Sequence, residues 1–99
     1  MAGKVYKLWR VKRMTEAWYQ LSKEEQDKLQ KQDQTDLESV GGKLVLVCSS
    51  GWANEGNLGW GVEEYPSLEA ALEYGEKQRR LDWARYFDGE SSLGVPWED

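Results

Sequence analysis

The sequence predicts a small α+β domain in which four strands and two helices follow one another in the order β-α-β-β-α-β. Three patterns lead to this expectation. Apolar residues recur as in a strand from Val5 to Val11, a capping box opens a helix at Ser22, and a strand-turn-helix signal surrounds Pro66. The 99 residues are enough for one domain, 1–99, with a polar tail from about residue 96.

The first strand and the first helix have clear boundaries in the sequence. In the strand Val5–Val11, alternation places three residues on one face, namely Tyr6, Leu8 and Arg10. Ser22 is followed three residues later by Glu25, which is the spacing of a capping box, so a helix starts at Lys23. The polar segment from 23 to 40 has few apolar residues, which predicts a helix packed through a narrow stripe.

The middle of the chain predicts a hairpin. Gly41 and Gly42 can end the helix, and the continuous apolar run within Lys43–Ser50 predicts a buried core strand. Glycines and asparagines favour a connection around residues 53–57, followed by a strand at Leu58–Tyr65. Alternation divides that strand into one face with Trp60, Val62 and Glu64 and another with Gly59, Gly61, Glu63 and Tyr65.

The last third predicts a second helix and a fourth strand. Pro66 ends the hairpin and Ser67 caps a helix that continues to Tyr86. Its stripe at helical spacing consists of Leu68, Leu72, Gly75, Arg79, Trp83 and Tyr86. Asp88 and Gly89 end this helix, and Ser91–Val95 is the fourth strand.

This order of elements is that of a ferredoxin-like fold, a four-stranded antiparallel sheet with two helices on one face. The other face of the sheet is then bare, and it carries Trp and Tyr side chains. An exposed face of this kind favours association. We therefore expect a homodimer in which two sheets close into a dimeric α+β barrel.

Composition excludes several classes of function. The net charge of −5 disfavours nucleic acid and anionic membranes as partners. The absence of histidine excludes histidine-ligated haem and histidine acid-base catalysis, and a single cysteine with scattered carboxylates does not supply the usual zinc ligands, so we expect no metal and no cofactor. Cys48 cannot form an intrachain disulfide, and the chain has no signal peptide or membrane-spanning run, which favours the cytoplasm.

Two segments of the sequence resemble segments of a known protein family. They are Trp18-x-x-Leu21-Ser22-x-Glu24-Glu25 and Glu63-Glu64-Tyr65-Pro66-Ser67-Leu68-Glu69-Ala70. On these motifs the chain resembles a family of small dimeric α+β barrel proteins of uncharacterised function. The resemblance implies a superfamily that includes cofactor-independent monooxygenases, polyketide cyclases, isomerases, haem enzymes and stress-response proteins. A shared fold does not select among them.

The candidate site is a pocket for an apolar or aromatic small molecule. Glu64 would be the base, with a pKa raised by an apolar cavity, and Arg10 and Tyr6 would stabilise an enolate-like intermediate. The ligand-binding candidates are Trp52, Trp60, Asn54 and Arg79. If the protein is an enzyme, it needs no cofactor and catalyses an isomerisation, a cyclisation or an oxygenation. The alternative is a non-catalytic interaction or stress-related dimer with a packed barrel, in which the charges pair with each other and the loop asparagines are structural.

Overall fold

The computed structural model describes residues 3–53 and 56–97. Four strands form one antiparallel sheet in the order β2-β3-β1-β4, which is consistent with a ferredoxin-like fold and confirms the α+β class. The elements are β1 (Val5–Met14), α1 (Glu16–Tyr19), α2 (Lys23–Ser39), β2 (Lys43–Ser49), β3 (Gly59–Tyr65), α3 (Leu68–Arg80), a 3-10 turn (Trp83–Arg85) and β4 (Phe87–Gly94).

Both long helices begin where the capping residues predict. The Ser22 side chain accepts a hydrogen bond from the Glu25 backbone N–H at 3.1 Å, and the Glu25 carboxylate accepts one from the Ser22 N–H at 3.0 Å. These bonds satisfy amides that the first turn of α2 leaves free. Ser67 Oγ accepts from the Ala70 N–H in the same way at the start of α3. Gly41 ends α2 with a φ of 79°, a conformation that favours glycine.

The core lies between one face of the sheet and the two long helices. Val5 and Tyr65 supply the sheet side of this core, and the helices contribute Leu37, Val40, Ala71 and Tyr74. Because side chains alternate along a strand, the neighbours of Val5 and Tyr65 point to the other side of the sheet. That side, which we call the open face, includes Tyr6, Leu8, Arg10, Trp60, Val62 and Glu64, and neither long helix packs on it.

A second cluster, made of aromatic residues, packs where helices connect to strands. Trp18 is buried and packs edge-to-face on Trp83 and Tyr86. Trp18 belongs to the short helix α1. The predicted helix to Tyr86 is interrupted, because α3 ends at Arg80 and Asp82 adopts a left-handed φ of 55° before the 3-10 turn.

The prediction that β2 is the buried core strand is wrong. Leu44, Val45, Leu46 and Val47 are 48, 51, 47 and 53 % exposed, and β2 is an edge strand that pairs only with β3. A continuous apolar run indicates that a strand will be covered on both faces, but it does not say by what. Within the described chain, no element packs over these four side chains.

The predicted apolar stripe of α3 is also wrong. Leu68 and Leu72 are exposed, whereas the buried positions are Ala71 and Tyr74. The small side chain of Ala71 lets the helix approach the sheet, and the Tyr74 ring fills the space beside Tyr65 at a centroid distance of 5.9 Å. The helix is therefore rotated by about one residue from the phase that the leucines suggested.

Candidate functional site

Four of the predicted site residues lie together on the open face. Tyr6 is paired in the sheet with Glu64, and Arg10 is paired with Trp60. The Tyr6 hydroxyl donates to Glu64 Oε1 at 3.0 Å. Beside them, Leu8, Arg10, Ser50, Asn57 and Trp60 line a shallow pocket of about 330 Å³. The alternation of two strands thus brought these residues to one side of the sheet, as their pattern indicated.

The electrostatics of the open face differ from the expectation. The hydrogen bond from Tyr6 lowers the pKa of the Glu64 carboxyl, and Lys4, 3.5 Å away, acts in the same direction. The raised pKa predicted for Glu64 is therefore wrong, because this carboxylate is hydrogen-bonded and open to solvent. Arg10 is also not buried: its side chain is 45 % exposed, and it faces Glu90 at 3.7 Å. In this environment Glu64 is a weak base.

The remaining predicted ligand-binding residues do not join this pocket. The Trp52 side chain is 86 % exposed, and its indole N–H donates to the Ser49 carbonyl oxygen at 3.1 Å. Arg79 lies on the exposed side of α3, where its guanidinium pairs with Glu76, because the helix phase turns this position to solvent. Asn54 lies outside the described residues.

A larger cavity lies on the opposite side of the sheet, where the sequence indicated no site. This helix-side cleft has a volume of about 540 Å³ and lies between α2 and the strands β2, β3 and β1. Its lining includes Trp9, Gln30, Asp33, Gln34, Leu44 and Glu63. Glu63 is the one buried charged residue among those that the structure describes, with 6 % of its surface exposed. Buried charges need partners, and the cleft supplies them.

Two carboxyls of the cleft, those of Glu63 and Asp33, are each held by a buried tyrosine. The Tyr65 hydroxyl donates to Glu63 Oε1 at 2.5 Å, and the Tyr74 hydroxyl donates to Asp33 Oδ1 at 2.7 Å. Burial and the neighbouring carboxyls raise the pKa of both tyrosines, so their hydroxyls remain donors. Two hydrogen bonds thus fix the orientation of one carboxyl from β3 and one from α2.

Lys7 and Gln78 connect the two carboxyl-tyrosine pairs. The Lys7 ammonium lies 3.8 Å from Glu63 Oε1 and donates to Gln78 Oε1 at 3.2 Å. The Gln78 amide in turn donates to the Tyr74 hydroxyl at 3.1 Å. The Lys7 ammonium also lies 5.1 Å from the centre of the Tyr74 ring, within cation-π range. Lys7 therefore serves both the buried Glu63 and the half-buried Asp33, which leaves this cluster of side chains short of positive charge.

The pKa values of both carboxyls are shifted upward. Burial raises the pKa of Glu63 and of Asp33, and in both cases this effect exceeds the lowering by the tyrosine hydrogen bonds and by Lys7. The negative charge of Asp33 contributes to the raised pKa of Glu63. Carboxyls shifted in this way and lining a cleft are typical of sites that bind or exchange protons. The arrangement can place one carboxylic acid and one carboxylate in the same cavity.

Trp9 forms part of the cleft wall and carries an unsatisfied donor. Its indole ring lies over Gly61, and a Cβ at that glycine would overlap the ring. The Trp9 Nε1 is buried and has no hydrogen-bond partner among the residues that the structure describes. A buried donor without an acceptor costs about 1–3 kcal/mol, so it calls for an explanation. The glycine at 61 is required here because the tryptophan occupies the space of a side chain.

The sequence held a signal for only part of the cleft. Alternation in β3 placed Glu63 on the face of Gly61 and Tyr65, but the sequence did not show that the helices cover this face, and the inward charge was assigned to Glu64 instead. Asp33, Tyr74 and Gln78 come from two helices, and their meeting depends on helix phase, which the sequence did not fix. Nothing in the sequence distinguished Lys7 from the other basic residues of the first strand.

The described part of the chain shows neither a metal-binding cluster nor a membrane-spanning helix. Residues 3–53 and 56–97 contain no group of three or more acidic or cysteine side chains arranged to hold a metal ion. Within the same ranges, none of the helices combines the length and apolar character needed to cross a membrane.

Comparison with known proteins supports the fold and is silent on function. No protein-family model matches the chain, and no curated protein matches it. A solved structure of a protein of unknown function from Rhodopseudomonas palustris is 18 % identical, with a TM-score of 0.68 over 100 % of this chain and 86 % of that one. The de novo designed protein Ferredog-Diesel is 19 % identical, with a TM-score of 0.50 over 95 % of this chain and 86 % of the design. At these identities the similarity shows the fold alone.

Proposed function

We propose that this protein is a homodimer that binds a small organic molecule in the helix-side cleft and promotes proton transfer there. The observation that carries the proposal is a pair of carboxyls that line one cavity, the buried Glu63 and the half-buried Asp33, both with raised pKa values. The site lies on the opposite side of the sheet from Tyr6, Arg10, Trp60 and Glu64. Those residues are assigned to the dimer interface instead.

The dimer part of the proposal rests on the open face. Leu8 and Leu46 are largely exposed on it, and Trp60 and Val62 are only partly covered. Basic and acidic groups alternate there as Lys4, Glu64, Arg10 and Glu90. A face with exposed apolar residues and both signs of charge can pair with itself around a two-fold axis. Two such sheets packed face to face form the dimeric α+β barrel.

The chemistry proposed for the cleft needs two carboxyls in different protonation states. One carboxylate removes a proton from a carbon next to a carbonyl group of the ligand, and the neighbouring carboxylic acid returns a proton at a second atom. The net result is an isomerisation, in which no atom is gained or lost. The tyrosines hold the carboxyls in place, and Lys7 stabilises the ionised one. The ligand is therefore a neutral carbonyl compound, because an anion would meet the acidic lining of the cleft.

Hydrogen-deuterium exchange into neutral ketones and lactones, followed by NMR, tests this chemistry. Wild-type protein should accelerate exchange at the carbon next to the carbonyl for at least one compound of such a panel. Glu63→Gln should reduce that rate by about 10²-fold or more, since it removes a general base. Glu64→Gln is the matched control, with the same change at the next residue, and should leave the rate unchanged. Equal rates for both variants would remove Glu63 from the mechanism.

The dimer is tested separately by light scattering after size exclusion. Leu8→Arg places a charge in the centre of the open face and should shift the protein to a monomer. Leu72→Arg makes the same change on the exposed side of α3 and should leave the dimer intact. A wild-type monomer would refute the interface.

One observation favours the alternative of a non-catalytic dimer. Every carboxyl in the cleft already has a protein donor, so the network also fits a purely structural role. In that case no compound of the panel would exchange, and removal of the charges would change stability only.

A further inference from the structure

The indole N–H of Trp9 is the one buried side-chain polar group without a hydrogen-bond partner among the residues that the structure describes. An indole donates and does not accept, so only an acceptor atom would satisfy it. In the same cleft, Glu63 and Asp33 each accept a hydrogen bond from a tyrosine. Packing on Gly61 explains where the Trp9 ring lies, but it does not explain a donor that is left unbonded.

The sheet register brings this donor close to Glu63. Trp9 on β1 pairs with Gly61 on β3, and two residues away Lys7 pairs with Glu63. Trp9 and Glu63 are therefore diagonal neighbours, which lie about 7–8 Å apart in an antiparallel pair. The ring atoms over Gly61 are Cζ2 and Cε2, and Cε2 is bonded to Nε1. The donor thus lies at the end of the ring that reaches the strand of Glu63.

The cavity that Trp9 lines suits an uncharged and mainly apolar compound. Trp9, Leu37 and Leu44 contribute apolar surface to this cavity of about 540 Å³. Lys7 is already engaged by Glu63 and by the Gln78 side chain, so it is not free to pair with an anion. A neutral carbonyl oxygen needs only a neutral donor, and an unbonded N–H beside apolar surface supplies one.

We propose that the Trp9 indole N–H donates to the carbonyl oxygen of the ligand, an uncharged and mainly apolar ketone or lactone, while Glu63 removes a proton from the adjacent carbon. This inference rests on the proposed function and names the residue that positions its substrate. The C–H bond breaks and the proton moves to Glu63. The electron pair of that bond forms the carbon–carbon double bond of an enolate, and the carbonyl π pair moves to the oxygen. Negative charge develops on the oxygen that Trp9 binds, so the donor stabilises the transition state more than the ketone.

A small turn of the indole ring makes the donor available. Nε1 is shielded from solvent, but Trp9 as a whole is only partly buried and lines the cavity. A ligand on the cavity side of the ring draws the N–H toward its oxygen, and the hydrogen bond that forms satisfies the buried donor. Trp9 therefore distinguishes a ketone from a hydrocarbon of the same shape.

The first test compares two tryptophan variants in the exchange assay. Trp9→Phe keeps an aromatic ring in the cleft and removes the donor. It should reduce the rate of deuterium exchange into cyclohexanone and δ-valerolactone by about 10²-fold, the effect of losing one hydrogen bond to a developing oxyanion. Trp97→Phe makes the same change at an exposed position and should leave the rate unchanged. Exchange by wild type that Trp9→Phe retains in full would refute this inference and leave the proposed function standing.

The second test uses wild-type protein, so it does not depend on the folding of a variant. In proton–nitrogen NMR spectra the Trp9 indole signal should move downfield and saturate as cyclohexanone is added. It should not do so with methylenecyclohexane, which has the same shape and no oxygen. The Trp52 signal is the internal control, because its N–H already donates to the Ser49 carbonyl oxygen and should stay in place.

The outcomes separate this inference from the proposed function. A Trp9 signal at a hydrogen-bonded position before any addition would show that the protein supplies the acceptor, for example the nearby Leu46 carbonyl, and would overturn the inference. Exchange of both compounds without a shift of the Trp9 signal would refute this inference alone. A saturable shift without exchange would support Trp9 as the donor and refute proton transfer. Neither shift nor exchange with either compound would refute both.

Discussion

Glu63 and Glu64 are the same amino acid at neighbouring positions of β3, yet the structure shifts their pKa values in opposite directions. Glu63 points to the helix side of the sheet, where burial disfavours its charge. Glu64 points to the open face, where a hydrogen bond from Tyr6 favours the charge. The difference teaches that the helices decide the electrostatics of this sheet: on the face that they cover, burial raises the pKa of a carboxyl, and on the open face a hydrogen bond lowers it.

The partners of the two glutamates repeat this contrast. Glu63 has Tyr65 and Lys7, and Glu64 has Tyr6 and Lys4, so each acid has one tyrosine donor and one lysine. The Lys7 side chain is 14 % exposed, and that of Lys4 is 61 % exposed. Matched substitutions on the two faces therefore compare the same chemistry in a buried and in a solvated environment.

The largest expected effect comes from the lysines. Lys7→Met leaves Glu63 without its cation and should lower the free energy of unfolding by about 2–4 kcal/mol at mildly alkaline pH, where Glu63 is ionised. Lys4→Met removes an exposed partner of Glu64 and should cost less than about 1 kcal/mol. Urea unfolding followed by tryptophan fluorescence, at one protein concentration, measures both. Equal losses would show that Lys7 is as well solvated as Lys4.

A smaller effect is expected from the tyrosines. Tyr65→Phe removes the donor of a buried carboxyl and should destabilise the protein by about 1–3 kcal/mol. Tyr6→Phe removes the corresponding bond on the open face, where water replaces the hydroxyl, and should destabilise the protein less than Tyr65→Phe does. The rings remain in both variants, so the difference isolates the hydroxyl groups. A larger loss for Tyr6→Phe would contradict the assignment of the buried network to the helix side.

The sequence was sufficient for the positions that depend on local rules. The two-residue period placed Tyr6 with Arg10 on one face of β1 and Trp60 with Glu64 on one face of β3, and capping residues gave the starts of α2 and α3. The register that joins the two faces comes from the structure. These features follow from neighbours in the chain.

The cleft could not be predicted because it depends on how the elements meet. Asp33 and Glu63 come together only after α2 has packed on the sheet, and the phase of α3 that brings Tyr74 to Asp33 differs from the phase of its leucines. The exposure of β2 likewise depends on its place at the edge of the sheet. Local patterns predict that such residues will be covered, and tertiary packing decides what covers them.

The smallest expected effect, and the most direct test of the comparison, is the pH dependence of stability for the two glutamates. The pKa of Glu63 lies above its ordinary value of 4.5 in the folded protein, so the folded state holds this proton more tightly than the unfolded state. Its contribution to stability is fully present below that value and is lost as the pH rises through the folded pKa. The loss is about 1.4 kcal/mol for each unit of the shift.

Glu64 should behave in the opposite way. Its pKa is lowered, so its contribution is present above 4.5 and is lost as the pH falls through the folded pKa. Unfolding free energies of wild type, Glu63→Gln and Glu64→Gln, measured from about pH 4 to about pH 8, give the two differences. As the pH rises, wild type should lose stability relative to Glu63→Gln and gain stability relative to Glu64→Gln. If both free-energy differences changed with pH in the same direction, the two faces of the sheet would not shift the pKa values of these neighbouring carboxyls in opposite directions. Glu63 would then have no advantage over Glu64 as a base.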